Sequence, residues 1–249
     1  MVHSGWRSRL AGLTPAVVRQ RVSTVRLRRM RAANATRTSE EVFTAVYRDA
    51  VWGEGDAFDS GSGSRGEPAD RYGSLIRSLV HDFDVRSAVD IGCGDFRVAK
   101  RFAGCLADYV GLDVVRPVVE QNTARYGRPG VSFAWLDAAR EEPPDADLCL
   151  IRQVLQHLSN EQIAGVLTRC RKYPLVVVSE HGPRAAPGVR PNIDKPHGPD
   201  TRLDRNSWVD IRRAPFACEP VRELLQVPVD PPQYRAGESI RTLLWRPNA

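Results

Sequence analysis

The chain has 249 residues, 42% hydrophobic and 27% charged, enough for one α/β domain with an ample core plus an extension. No apolar run approaches the roughly 18 residues of a membrane-spanning helix, which excludes that class. The net charge of +6 belongs to an arm, because residues 1–38 hold nine arginines and no acid and leave about −3 on the rest.

Three regions follow in chain order. Residues 1–38 are a basic arm in which Pro15 starts a helix with Val18, Val22 and Val25 on one face. Such an arm packs on a partner, contacts nucleic acid or an anionic surface, or serves as a transit peptide. Residues 39–84 read as a helical cap and a Gly/Ser loop. Ser39 is the expected N-cap, Glu40 and Glu41 fill the first turn, and Val42, Phe43, Val46 and Tyr47 form the apolar face toward Trp52. The run Ser60-Gly-Ser-Gly-Ser-Arg-Gly66 has linker composition. It stands between two helix-like segments, the second being Tyr72–Val80, so it is predicted to cover a ligand.

Residues 85–249 form the core. Strands are predicted at Ser87–Ile91, Asp108–Asp113, Val131–Asp137, Asp147–Ile151 and Leu175–Ser179, with helices at Phe96–Ala103, Arg116–Tyr126 and Glu161–Lys172. This alternation predicts a doubly wound, mostly parallel sheet with helices on both faces. A polar, Pro- and Gly-rich loop from Glu180 to Asn206 follows, a length that points to function. Two last strands, Glu223–Val229 and Ser239–Trp245, suit an antiparallel hairpin-like edge through Pro231-Pro232. The five cysteines are odd in number and lack C-x-x-C spacing, which predicts free thiols, a reduced cytoplasmic setting and no metal.

The segment Ser87-Ala-Val-Asp-Ile-Gly-Cys-Gly-Asp95 carries the chemistry. Gly92 and Gly94 allow a close backbone approach, but Arg97 stands where a dinucleotide fingerprint needs its third glycine. Asp90 and Asp95 flank the turn and would repel a pyrophosphate, favouring an amino group or a sulfonium instead. Asp113 and Asp137 end the next two strands. Three carboxylates on one sheet edge suit a nucleoside with a charged, non-phosphate tail.

With these motifs the chain resembles the class I S-adenosylmethionine-dependent methyltransferases of the bacterial small-molecule type. The resemblance rests on Val89-Asp-Ile-Gly-Cys-Gly94, Tyr109-Val-Gly-Leu-Asp113, Phe133-Ala-Trp-Leu-Asp137 and the stretch Ala146–Ser159, and it covers about residues 40–245. It implies a Rossmann-like fold with a seven-stranded sheet and a helical N-terminal cap, S-adenosylmethionine as cofactor, and a small-molecule acceptor. Asp90, Gly92, Cys93 and Gly94 would hold the methionine moiety, Asp113 and Val114 the ribose, Asp137 and Ala138 the adenine. Arg152 and Gln153 match the segment that closes over the cofactor. Tyr47, Trp52 and Ser62 match a leading segment of the subgroup.

For O-methylation a base helps, and histidine suits that role. Two of the five histidines, His157 and His181, sit at the expected strand edge. His157 is commonly structural in this family, whereas His181 faces the expected acceptor pocket. The loop Asn192–Arg202 is expected to recognise a polar substrate or act as a lid. A metal site on Asp194, His197 and Asp200 is disfavoured because one loop rarely supplies a full ligand set. The favoured acceptor is a sugar, glycoside or secondary metabolite. The rivals are an RNA methyltransferase anchored by the arm, against which the acidic domain argues, and a non-methylating cofactor-binding scaffold. A homodimer is compatible with the sequence.

Overall fold

Apolar residues alternate or run continuously in seven segments of this chain, and each becomes a strand in the computed structural model. It describes residues 33–34, 36–52, 58–183, 187–229 and 237–249; the expected arm helix and the Pro231-Pro232 connection lie outside them. The strands are β1 (Ser87–Ile91), β2 (Asp108–Asp113), β3 (Val131–Trp135), β4 (Leu148–Arg152), β5 (Leu175–Gly182), β6 (Val221–Pro228) and β7 (Ser239–Trp245). They form one sheet in the order β3-β2-β1-β4-β5-β7-β6.

The sheet is mixed, where a mostly parallel one was expected. Pairing is parallel from β3 through β5 and antiparallel for β5–β7 and β6–β7. The stretch from 229 to 238 explains this, since a parallel crossover needs roughly a dozen residues or more. The β6–β7 hairpin is inserted the other way round from a simple edge addition. β7 lies inside, against β5, and β6 forms the edge.

Among the described residues, the helices α1 (Ser39–Arg48), α2 (Gly66–Asp82), α3 (Arg116–Tyr126) and α4 (Asn160–Cys170) pack on this sheet. Strand alternation divides the core into two layers. Val89, Ile91, Cys149, Ile151, Val176 and Val178 face α1, α3 and α4. Ala88, Leu148, Leu150, Leu175 and Val177 face Tyr72, Ile76 and Leu79 of α2. Burying a Val, Leu or Ile of this kind contributes about 1.5–3 kcal/mol. Asp90 projects on the α2 side, a placement that matters below.

Several boundaries differ from expectation for local reasons. Thr38, not Ser39, caps α1: its hydroxyl accepts from the Glu41 N–H while Glu41 reaches back to the Thr38 N–H, a reciprocal capping box. The expected helix Phe96–Ala103 is instead two short 3-10 turns, Ala99–Arg101 and Ala103–Cys105. Asp95 Oδ1 accepts the Arg97 N–H at 3.0 Å, an alternative to helical pairing. Phe96 is left-handed there at φ 60°. β5 runs three residues past Ser179, so Glu180 and His181 belong to the strand and not to the loop. Among the described residues, no helix is long and apolar enough to cross a membrane.

Candidate active site

β1 pairs in register with β2 and β4, so Ile91 lies beside Leu112 and Ile151 and the glycine turn emerges at the carboxyl edge of the sheet. The turn requires glycine twice. Gly92 has φ 71° and Gly94 φ 54°; a Cβ would stand 2.4 Å from Val154 Cγ2 in the first case and 2.3 Å from Ser60 Oγ in the second. The amides of Gly92 and Cys93 both donate to the Leu112 carbonyl, at 2.8 and 2.9 Å, so they are turned away from any ligand.

The acids hold the turn as well as lining it. Asp113 accepts the Gly94 N–H at 3.1 Å and the Val115 N–H at 3.0 Å. Burial nevertheless pushes its carboxyl up to about 6. Asp90 accepts a 2.7 Å hydrogen bond from the Tyr109 hydroxyl. Burial is the larger influence there, and the Asp90 carboxyl is pushed up to about 7. Asp137 stands two residues beyond β3 and not at its end, accepting the Ala139 N–H at 3.1 Å.

The Gly/Ser loop is stitched onto this turn. Ser60 Oγ accepts the Asp95 N–H at 2.9 Å and lies 3.0 Å from the Tyr47 hydroxyl, while the Ser60 N–H donates to Asp95 at 3.3 Å. Buried Asp59 pairs with Arg65 and, at 3.3 Å, with Arg97. Arg152 at the end of β4 donates to the Gly63 carbonyl at 2.7 Å. A domain linker would lack these contacts.

The result is one cavity of about 300 Å³, at the small end of ordinary ligand pockets. Its floor is Asp90, Gly92, Cys93 and Gly94; Asp113 and Val114 follow from β2, and Asp137 and Ala138 from beyond β3. Arg152, Gln153 and His157 come from the β4 edge, His181 from β5, and Tyr47, Trp52 and Ser62 from the leading segment. All the expected site residues therefore meet on one surface.

The wall after β4 is held from below. Glu180, buried in β5, accepts the amides of Val154, Leu155 and Gln156 at 3.1, 2.8 and 3.3 Å. Burial pushes its carboxyl up to about 7 despite those bonds. Buried Lys195 and Arg202 donate to the carbonyls of His157 and Leu158 at 3.2 and 2.7 Å. The loop expected to read a polar substrate thus turns two cations inward to fix its neighbour, and it presents Pro199 and Thr201 to the cavity. Trp52 donates its indole N–H to the Pro199 carbonyl at 3.2 Å and packs against His157 with ring centroids 4.8 Å apart.

Two of the three residues of the disfavoured metal triad are otherwise engaged. Asp194 accepts the Asn160 N–H at 2.8 Å, and Asp200 lies 3.8 Å from Lys195. The two candidate histidines also separate. Burial pushes His157 down to about 3, and its ring packs among Trp52 and Phe43. His181 is pushed down to about 4 by burial, and its Nε2 lies 3.2 Å from Glu238 Oε2.

Sequence reasoning missed Tyr72, Glu180 and Glu238 as residues of the site or its support. Glu180 left a readable signal, an acid closing a run of valines. Tyr72 did not, because at helical spacing it is indistinguishable from core.

A family model described as a methyltransferase domain matches residues 88–173. No curated protein sequence matches the chain. Among solved structures, the N-terminal domain of EvdMO1 with SAH bound is 15% identical with a TM-score of 0.53, covering 84% of this chain and 99% of that one. The N-methyltransferase NodS from Bradyrhizobium japonicum WM9, in complex with S-adenosyl-L-homocysteine, is 17% identical with a TM-score of 0.51, covering 73% and 88%. The methyltransferase domain of bacterial CtHen1 is 14% identical with a TM-score of 0.50, covering 70% and 96%. These likenesses establish a common fold. The domain match over the glycine turn and the strands around it identifies residues 88–173 as a methyltransferase domain, on a fold shared with an N-methyltransferase solved with S-adenosyl-L-homocysteine.

Proposed function

We propose that this methyltransferase acts on an oxygen of a small polar acceptor, a sugar, glycoside or related metabolite, with His181 taking the hydroxyl proton. The observation that carries the reading is His181 itself. It lines the cavity, burial keeps its imidazole neutral at physiological pH, and Glu238 stands 3.2 Å from its ring. A neutral imidazole can accept a proton, and an adjacent carboxylate steadies the cation that results.

In this reading Asp90 and the Gly92-Cys93-Gly94 turn seat the methionine part of the cofactor. Asp113 and Val114 take the ribose, and Asp137 with Ala138 frames the adenine. Arg152, Gln153, Tyr47, Trp52 and Ser62 enclose it. What supports this is their convergence on one cavity with a carboxylate at each of three places. When bound, S-adenosylmethionine supplies a methyl group on a positively charged sulfur. The walls align the acceptor and exclude water, which is the main demand of an in-line displacement. The carbon–sulfur bond breaks, the carbon–oxygen bond forms, and the hydroxyl proton passes to His181. His157, packed between aromatic rings, keeps the roof in place. A related EvdMO1 structure was obtained in the presence of SAH and D-fucose, which favours sugars as the first acceptors to try.

The test is transfer of a labelled methyl group to a panel of sugars, glycosides and amines. We expect the label on oxygen, and a loss of about 10²–10⁴-fold in kcat for His181→Gln with cofactor affinity retained. Label on nitrogen, or undiminished turnover by the variant, overturns the proposal.

A further inference from the structure

The turn after β4 carries a polar atom with no role in the site described so far. Gln156 is 5% exposed and lines the cavity, yet its Oε1 has no hydrogen-bond partner among the described residues. A buried oxygen left without a donor is costly, so it points to a group it is built to meet.

The neighbours fix which end of the amide is on offer. Gln156 Nε2 lies 3.4 Å from Nε2 of His157. Burial keeps that imidazole neutral, so its Nε2 can accept the amide N–H; the other tautomer would set two N–H groups against each other. The His157 ring is itself held, with its centroid 4.8 Å from Trp52 and 6.4 Å from Phe43. The main chain of Gln156 is held too, its N–H donating at 3.3 Å to Glu180, the residue before His181 in β5. Oε1 therefore has a fixed place and calls for a ligand O–H or N–H. In the placement proposed above, the cofactor's own donors face carboxylates: the ammonium Asp90, the ribose Asp113 and the adenine amino group Asp137. The methyl acceptor is left to supply the donor. It cannot be the hydroxyl that reacts, because that proton passes to His181.

We infer that Gln156 Oε1 accepts a hydrogen bond from a second hydroxyl of the methyl acceptor, and so selects polyhydroxylated acceptors over those with a single hydroxyl. This rests on the O-methylation reading above. A simple alcohol or phenol could fill the cavity but would leave Oε1 buried and unmet, and a site built to bond a substrate hydroxyl discriminates strongly against an analogue that lacks it.

Methyl transfer by the full chain to methyl β-D-fucopyranoside and to each of its monodeoxy analogues tests this. Wild-type protein is expected to lose about 10- to 100-fold in kcat/KM on one analogue that still carries the methylated hydroxyl. Gln156→Leu should lose as much on the parent glycoside and treat parent and that analogue alike, within about twofold, as expected when both partners of one contact have been removed. Gln156→Glu, which keeps acceptor oxygens, should retain the preference. The ratio of the two substrates is read within each protein, so a loss of folded enzyme does not alter it, and Gln156→Met serves if Gln156→Leu does not fold. S-adenosylhomocysteine affinity should be unchanged in the variants. Wild-type protein that treats the parent and every methylated analogue alike, a preference that survives in Gln156→Leu, or weakened S-adenosylhomocysteine binding in that variant overturns the inference. Wild-type protein that methylates none of these glycosides overturns the sugar reading on which it rests.

Discussion

At the scale of single residues, Asp90 has the most distinctive electrostatics. Burial is the largest influence on its carboxyl, with the Tyr109 hydrogen bond and Arg152 opposing and Asp113 adding to the rise, for a value of about 7. Below that pH the group is mostly neutral and attracts a cationic ligand weakly; above it the carboxylate is ionised and attracts it strongly. Affinity for S-adenosylhomocysteine, whose ammonium is its cation, should therefore rise between about pH 6 and pH 8. Titration calorimetry across that window checks the sign, and Asp90→Asn should flatten the rise. Asp90 and its glycine turn were legible in the sequence because their chemistry is local: an acid in an apolar strand next to a turn. Tyr72, which also lines the cavity, was not legible. Its contact there is with an arginine 80 positions away in the chain, brought over its ring by the packing of α2 on β4.

At the scale of elements, the turn after β4 shows how one strand fixes its neighbour. Three amides of that turn end on Glu180 of β5. Glu180→Ala would leave them without their buried acceptor, at a cost of about 1–3 kcal/mol of stability. It should also weaken cofactor binding, because Gln153, Val154, Gln156 and His157 line the cavity from this turn. Denaturant unfolding and calorimetry would measure both effects, and a variant with wild-type stability would refute the clamp. β1, β2, β7 and α3 lie where their patterns predicted. The failures have local causes. The Phe96–Ala103 segment yields to the Asp95 side chain, which competes for a backbone N–H. α1 starts after Thr38 because the capping box places Glu41 at its third position, a spacing that was present in the sequence.

At the scale of the whole molecule, two core layers clamp the sheet, and the site lies where the strand ends meet both. Leu150 is fully buried on the α2 side, one strand away from Asp90 in register. Leu150→Ala should cost about 2–5 kcal/mol, read as a lowered unfolding midpoint. A loss under about 1 kcal/mol would mean that this layer repacks freely. The α/β class, the approximate places of the strands and the three acids near their ends followed from the sequence alone, because burial periodicity and turn chemistry are properties of neighbouring residues. The inner position of β7, the inward-facing cations of the long loop, the Glu180 clamp and the pairs Tyr72–Arg152 and His181–Glu238 were decided by tertiary structure. Each joins groups far apart in the chain, and only the order of strands in the sheet brings them within contact.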